Sequence, residues 1–219
     1  MTSDWLLKLR PILELLYFAS GIVLTIVAIY GLRQIALTKS IANKNARRES
    51  IKFAADRCQY YSEVCVPLTS ALLTAYKKQN LTFFNDQKFR VEGGRVVDHN
   101  FNGAKIKACA DGIPVIAQEL SACLNSLETF AVPFVAGVAD DELGFQVTGF
   151  SFCDTLEGLM IILFILLKGR NSHSFESCLK LYEVWHTRLE AEKMKPLIES
   201  MNEKIKAAEK AKFTPLEGS

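Results

Sequence analysis

Between Leu15 and Leu32 the chain reads LLYFASGIVLTIVAIYGL, 18 consecutive residues without a charge, and including Ile12 to Glu14, with the single acid Glu14, extends the stretch to 21. At about 1.5 Å per residue a helix of this length reaches roughly 27 to 31 Å, the thickness of a bilayer's hydrocarbon layer. Ten of the 18 residues are Leu, Ile, Val or Phe. Each favours insertion by roughly 0.3 to 0.6 kcal/mol, which outweighs the mild penalties of Ser20, Gly21, Thr25 and Gly31. A cleaved signal peptide would end its apolar core after about 7 to 15 residues at small side chains, whereas Tyr30-Gly31-Leu32-Arg33 follows here. A buried core helix would carry polar residues on one face, and this stretch is apolar all round. The sequence therefore predicts an uncleaved transmembrane helix from Ile12 to Leu32, preceded by a short N-terminus of residues 1–11.

Basic residues set the expected direction. Lys8 and Arg10 precede the span, while Arg33, Lys39, Lys44, Arg47, Arg48 and Lys52 follow it, with Glu49 the one acid in that run. Six against two places the C-terminal side in the cytoplasm and the N-terminus outside. The same six residues are suited to anionic lipid head groups, at about 1 kcal/mol per residue close to the surface. Within the span, Gly21, Thr25 and Ala28 share one face, a small-residue stripe on which a second copy could pack.

Beyond the span the pattern is mainly α. No Gly or Pro interrupts Arg33 to Val66, so residues 33–66 read as a basic stalk helix, polar over Lys39–Ser50 and amphipathic from Ile51. There Ile51, Ala54, Ala55, Cys58, Tyr61 and Cys65 recur at helical intervals. Pro67 predicts a kink or a new helix running through Leu68–Tyr76. Asn80–Gly103 changes character and suggests a loop or small hairpin turning at Gly93-Gly94. The sequon Asn80-Leu81-Thr82 would have no meaning on the cytoplasmic side. Helical spacing returns at Ala104–Ala110 and at Val115–Phe130, then at Asp140–Leu143, Phe152–Lys168 and Phe175–Met194. Residues 67–195 thus form a cytoplasmic helical bundle with a small irregular or hairpin insertion. Residues 196–219 form a charged tail whose stripe of Leu197, Met201, Ile205 and Ala208 reads as a surface helix or a frayed end.

A second apolar stretch sits near break-even. Gly158–Leu167 covers only about 15 Å as a helix; extending it back to Phe150 gives 18 residues but includes Asp154 and Glu157. Each acid costs about 2.5 to 3.5 kcal/mol if placed centrally, and the large apolar residues return a similar sum. It reads as the central core helix of the domain or as a conditional second membrane segment.

Chemical motifs are sparse. The six cysteines make no C-x-x-C pair, so neither a structural disulfide framework nor zinc is expected, and small apolar core side chains in a reducing compartment account for them. With three histidines (His99, His173 and His186), the chain contains no H-E-x-x-H, no G-x-x-x-x-G-K-[ST] and no G-x-S-x-G. Asp140, Asp141 and Glu142 precede an apolar helix, where acids suit the dipole; His186 reads as a packed or surface residue. A net charge of +2 gives no ground for direct nucleic-acid binding. No cofactor, metal or enzymatic activity is expected.

The segment Asn125–Phe145 (NSLETFAVPFVAGVADDELGF), with RRESIKFAADRCQYY and Trp185, resembles bacterial membrane-anchored proteins of an uncharacterised helical domain family. In that pattern an asparagine and a glutamate on one helix precede a glycine and an acidic pair, matched here by Asn125, Glu128, Gly137, Asp140, Asp141 and Glu142. The resemblance covers about Leu15 to Leu189. Chains of this shape are similar to transmembrane effectors of bacterial antiviral systems, including those encoded beside retron reverse transcriptases. What this resemblance implies is an inner-membrane effector, held inactive by a partner such as a reverse transcriptase with its RNA–DNA product, that damages the membrane during infection. Two other readings compete with it. One is a non-enzymatic tether or scaffold binding a cytoplasmic partner; the other is an enzyme using Asp140, Asp141, Glu142 and a histidine.

Overall fold

The computed structural model describes residues 4–81, 89–99, 103–167 and 174–210. Thr82 of the sequon, Lys168, His173 and residues 211–219 lie outside them. The chain divides into two compact units, residues 1–49 and 50–219. Helix α1 (Asp4–Tyr60) is followed by a π turn (Tyr61–Cys65), α2 (Val66–Lys78), the strands β1 (Phe89–Glu92) and β2 (Arg95–His99), and α3 (Gly103–Gly112). A 3-10 turn (Ile113–Ile116), α4 (Ala117–Val135), α5 (Asp141–Leu167) and α6 (Glu176–Lys210) complete the order. The protein is mainly α, with a long apolar N-terminal helix and one two-stranded hairpin.

The first unit is helix α1 alone, and no residue from Glu14 to Glu49 is buried in protein. The Ser20 and Thr25 hydroxyls of its apolar section are satisfied within the helix: Ser20 Oγ donates to the Tyr17 carbonyl at 2.8 Å and Thr25 Oγ1 to the Gly21 carbonyl at 2.9 Å. A helix surrounded by hydrocarbon needs this, because no water is at hand to take an orphaned donor.

The second unit owes its core to regular spacing. Ala54, Cys58, Tyr61, Cys65 and Leu72 are buried at alternating steps of three, four and seven residues, so one seam continues from the end of α1 into α2. Ile51 and Ala55, expected on that face, are exposed. Pro67 lies in the first turn of α2. It lacks an N–H and its ring crowds the carbonyl four residues earlier, and the π turn at Tyr61–Cys65 accommodates both.

At the centre stands Trp185 of α6, fully buried, with ring centroids 5.4 Å from Phe134 and Phe152 and 6.1 Å from Phe130 and Phe145. Around it pack Leu156, Met160, Ile162 and Leu163 of α5 and Leu120, Leu124 and Leu127 of α4. The hairpin pairs antiparallel, with Glu92 opposite Arg95 across Gly93-Gly94. Both glycines have positive φ, +58° and +74°, as a two-residue hairpin turn demands. The Gly94 N–H donates to Glu183 at 3.3 Å, which fastens the hairpin to α6.

Several helices run longer than sequence spacing predicts. Residues 140–143 and 152–168 read as two segments but join in α5, because Gly144 and Gly149 sit where a side chain has no room. A Cβ on Gly144 would lie 2.3 Å from Phe134, and one on Gly149 would lie 2.7 Å from Phe145. Helix α4 passes through Pro133 and α6 through Pro196. Around Pro196 the helix is exposed on all sides, so water takes the carbonyl hydrogen bond that proline leaves unmade, and the expected break at that residue does not occur.

Candidate functional site

The six residues of the family-like pattern fall around the α4–α5 corner, and five of them perform an identifiable structural task. Gly137 ends α4 in the left-handed region, φ +69°, where Cβ would be strained. Around it the Gly137 N–H donates to the Phe134 carbonyl at 3.0 Å and the Val138 N–H to the Pro133 carbonyl at 2.9 Å. Asp140 then caps α5: its Oδ1 accepts the Leu143 N–H at 2.9 Å, an N-cap bond worth about 1 kcal/mol. The Asp140 N–H itself donates to the Ser50 carbonyl at 3.1 Å, tying the corner to α1.

Asp141 and Glu142 reach across to α6. Trp185 Nε1 donates to Asp141 Oδ1 at 2.7 Å, and Arg188 pairs with the second Asp141 oxygen. Glu142 lies 3.8 Å from the same guanidinium, whose carbon stands 5.5 Å above the Phe145 ring. Glu128 on α4 grips the start of α6 with both oxygens, accepting the Ser177 N–H at 3.2 Å and the Cys178 N–H at 2.9 Å. A carboxylate here satisfies two orphaned donors and opposes the positive end of the helix dipole. Asn125 differs from the others. It is exposed and contacts Ser121 Oγ at 3.4 Å on its own helix.

This arrangement is a clamp. The acidic trio, an alternative catalytic set by sequence, spends its oxygens on a helix cap, an indole and an arginine. His186 lies elsewhere, stacked on Tyr182 at 5.1 Å between centroids and 3.5 Å from Glu157. Tyr182 Oη donates to Glu157 at 3.2 Å; burial, then the neighbouring carboxylate, pushes the phenol well above its ordinary range. These contacts pin α5 to α6 at a second level. On the opposite side of α5, Tyr61 Oη sits 3.2 Å from Ser151 Oγ.

All six cysteines are free and buried. Burial pushes the Cys65 thiol up to about 11 and that of Cys109 up to about 12. Cys178 is raised well above its ordinary value, first by burial and then by the adjacent Glu128 charge. Thiols so placed stay protonated at neutral pH and are poor nucleophiles. Among the described residues no group of three or more His, Cys, Asp or Glu converges to hold a metal ion.

The other predicted residues lie on α1. Leu15, Gly21, Thr25, Ala28 and Leu32 are exposed along the apolar section, and Ile12 belongs to the helix backbone. Arg33, Lys39, Lys44, Arg47, Arg48 and Lys52 are likewise exposed. At 100° per residue, Arg33, Lys44, Arg47 and Arg48 fall within a sector of about 100°. Sequence spacing missed the α5–α6 clamp: Trp185 and Asp141 are 44 positions apart, and no local pattern links an indole to an acid at that distance. No family model matches the chain, and no curated protein or solved structure matches it either.

Proposed function

We propose that this chain is an inner-membrane effector of a bacterial antiphage system, anchored by α1 and compromising the membrane when triggered. The observation that carries the reading is the pairing of two apolar helices in different environments. Both α1 and α5 are long and apolar enough to cross a membrane by length and composition, and the α1 section is bare while 44% of the α5 section is buried in the domain. In the proposed resting state α1 crosses the bilayer with its N-terminus outside, Arg33–Arg48 lie against cytoplasmic head groups, and the clamp holds α5 inside the domain. Loss of an inhibitory partner frees α5, and protomers assemble in the bilayer without any enzymatic step. The antiviral role itself rests on the resemblance carried by Asn125–Phe145.

A second reading, a non-enzymatic tether that binds a cytoplasmic partner, is favoured by a specific observation: Leu156, Met160, Ile162 and Leu163 of α5 are fully buried in the core. Freeing them exposes four large side chains at about 1.5 to 3 kcal/mol each, so the effector needs a trigger and the tether does not. Following propidium iodide entry while the chain is expressed alone, and with its neighbouring genes under phage challenge, separates the two. Dye entry accompanied by protection is the effector's result; protection with intact membranes ends that reading and leaves the tether.

A further inference from the structure

The C-terminal half of α6 carries an apolar stripe that its own domain does not use. Met194, Ile198, Met201 and Ile205 are each more than half exposed and recur at steps of four, three and four residues. At 100° per residue Ile198 is turned roughly 140° from the core-facing Trp185, so the stripe is no continuation of the buried face. Stepping back by sevens from Ile198 reaches Ala191 and Val184, both exposed. Placing Ala191, Ile198 and Ile205 at heptad position a puts Met194, Met201 and Ala208 at d. Isoleucine at two of these three a positions suits a two-stranded parallel coiled coil, with Met194 and Met201 taking the d positions where leucine is usual.

Flanking charges point to the partner. In a parallel pair each g residue meets the e residue of the following heptad on the other helix. Glu190, which pairs with Lys193 of its own helix at 2.9 Å, then also faces Lys195 of the second copy, the opposite sign. Pro196 falls at position f, outside the seam, where a missing N–H harms no contact. An interfacial lipid helix would be rich in Lys and Arg on its polar face, but residues 196–210 hold three lysines and three glutamates. Lipid therefore gains nothing electrostatically, whereas a second copy gains the matched Glu190–Lys195 pair on each side of the seam.

We propose that residues 190–209 form a parallel, in-register coiled coil with a second copy of this chain. About two and a half heptads of Ile, Met and Ala make a weak seam on their own. Anchoring through α1, on which this strengthening rests, confines copies to one plane with one orientation and raises their effective concentration. The dimer thereby forms at the membrane.

Cysteine cross-linking of the full chain in native membranes tests this. Met201→Cys, at a d position, is expected to give a symmetric disulfide-linked dimer under mild oxidation. Glu203→Cys, about 200° around the helix, and the unaltered chain with its buried thiols are expected to give no disulfide-linked dimer. Adding Ile198→Asp and Ile205→Asp to Met201→Cys is expected to abolish the dimer; these side chains are exposed, so folding is undisturbed. Equal cross-linking at 201 and 203, or none at 201 because the stripe rests on lipid or on another protein, overturns the proposal. A chain that pellets with membranes but does not cross-link refutes the coiled coil and leaves the anchor standing. Cross-linking of a chain found in the supernatant does the reverse.

Discussion

Leu15–Leu32 and Phe150–Leu167 have equal length and similar hydropathy, yet the first is exposed throughout and the second contributes to a core. The difference lies in what accompanies the apolar residues. In the first stretch the polar groups are hydroxyls that bond their own backbone, so the helix presents an apolar surface all round. In the second, Ser151 and Thr155 reach Tyr61 and Glu157 reaches Tyr182, and just before it Gly144 and Gly149 of the same helix leave room for the rings of Phe134 and Phe145. Average hydropathy records greasiness; the placement of hydroxyls, acids and glycines decides whether lipid or protein surrounds it.

Arginine substitution separates the two regions most sharply. Met160→Arg buries an unpaired charge at the centre of α5 and is expected to abolish cooperative unfolding of the detergent-solubilised protein, read by circular dichroism, while the chain still pellets with membranes. Leu24→Arg with Val27→Arg should do the opposite. Two charges cost about 5 to 7 kcal/mol at mid-span, so the chain moves to the supernatant with the domain's thermal transition unchanged. Gly144→Ala forces Phe134 aside and is expected to lower domain stability by about 1 to 3 kcal/mol, whereas Gly21→Ala, with open space around it, leaves it unaltered. Glu128→Gln weakens the grip on α6 by about 1 kcal/mol, measured as a shift in the denaturant midpoint.

The thiols add a pH dependence to the same contrast, since none lies in the first stretch. Cys65 and Cys109 have folded-state pKa values of about 11 and 12, above an ordinary value of 9.0. Their contribution is therefore fully present below pH 9 and declines as pH rises from there through the folded values, because the unfolded chain ionises first. Denaturant midpoints are expected to hold steady from pH 7 to 8.5 and to fall above pH 9, with membrane partition of the folded chain unaffected.

Much of this was legible in the chain. The long apolar N-terminal helix, the turn at Gly93-Gly94 and the seam through Cys58, Tyr61 and Cys65 follow from local spacing, which acts within a few residues and so survives in one dimension. The continuity of α5 and of α6 did not, because glycine and proline signal breaks, and only tertiary surroundings show that Gly144 makes room for Phe134 and that Pro196 lies in water. The role of the Asn125–Glu142 pattern was hidden for the same reason. Asp141 looks like a candidate for chemistry until Trp185, 44 residues on, is placed against it.

Fluorescence quenching by lipids brominated in mid-chain tests the contrast between the two stretches most directly. One reconstituted protein carries Trp5→Phe, leaving Trp185 as the sole emitter; the other carries Trp5→Phe, Trp185→Phe and Leu24→Trp. Strong quenching of the residue at 24 with Trp185 untouched is the predicted result. An unquenched residue at 24, or equal quenching of both, would contradict it.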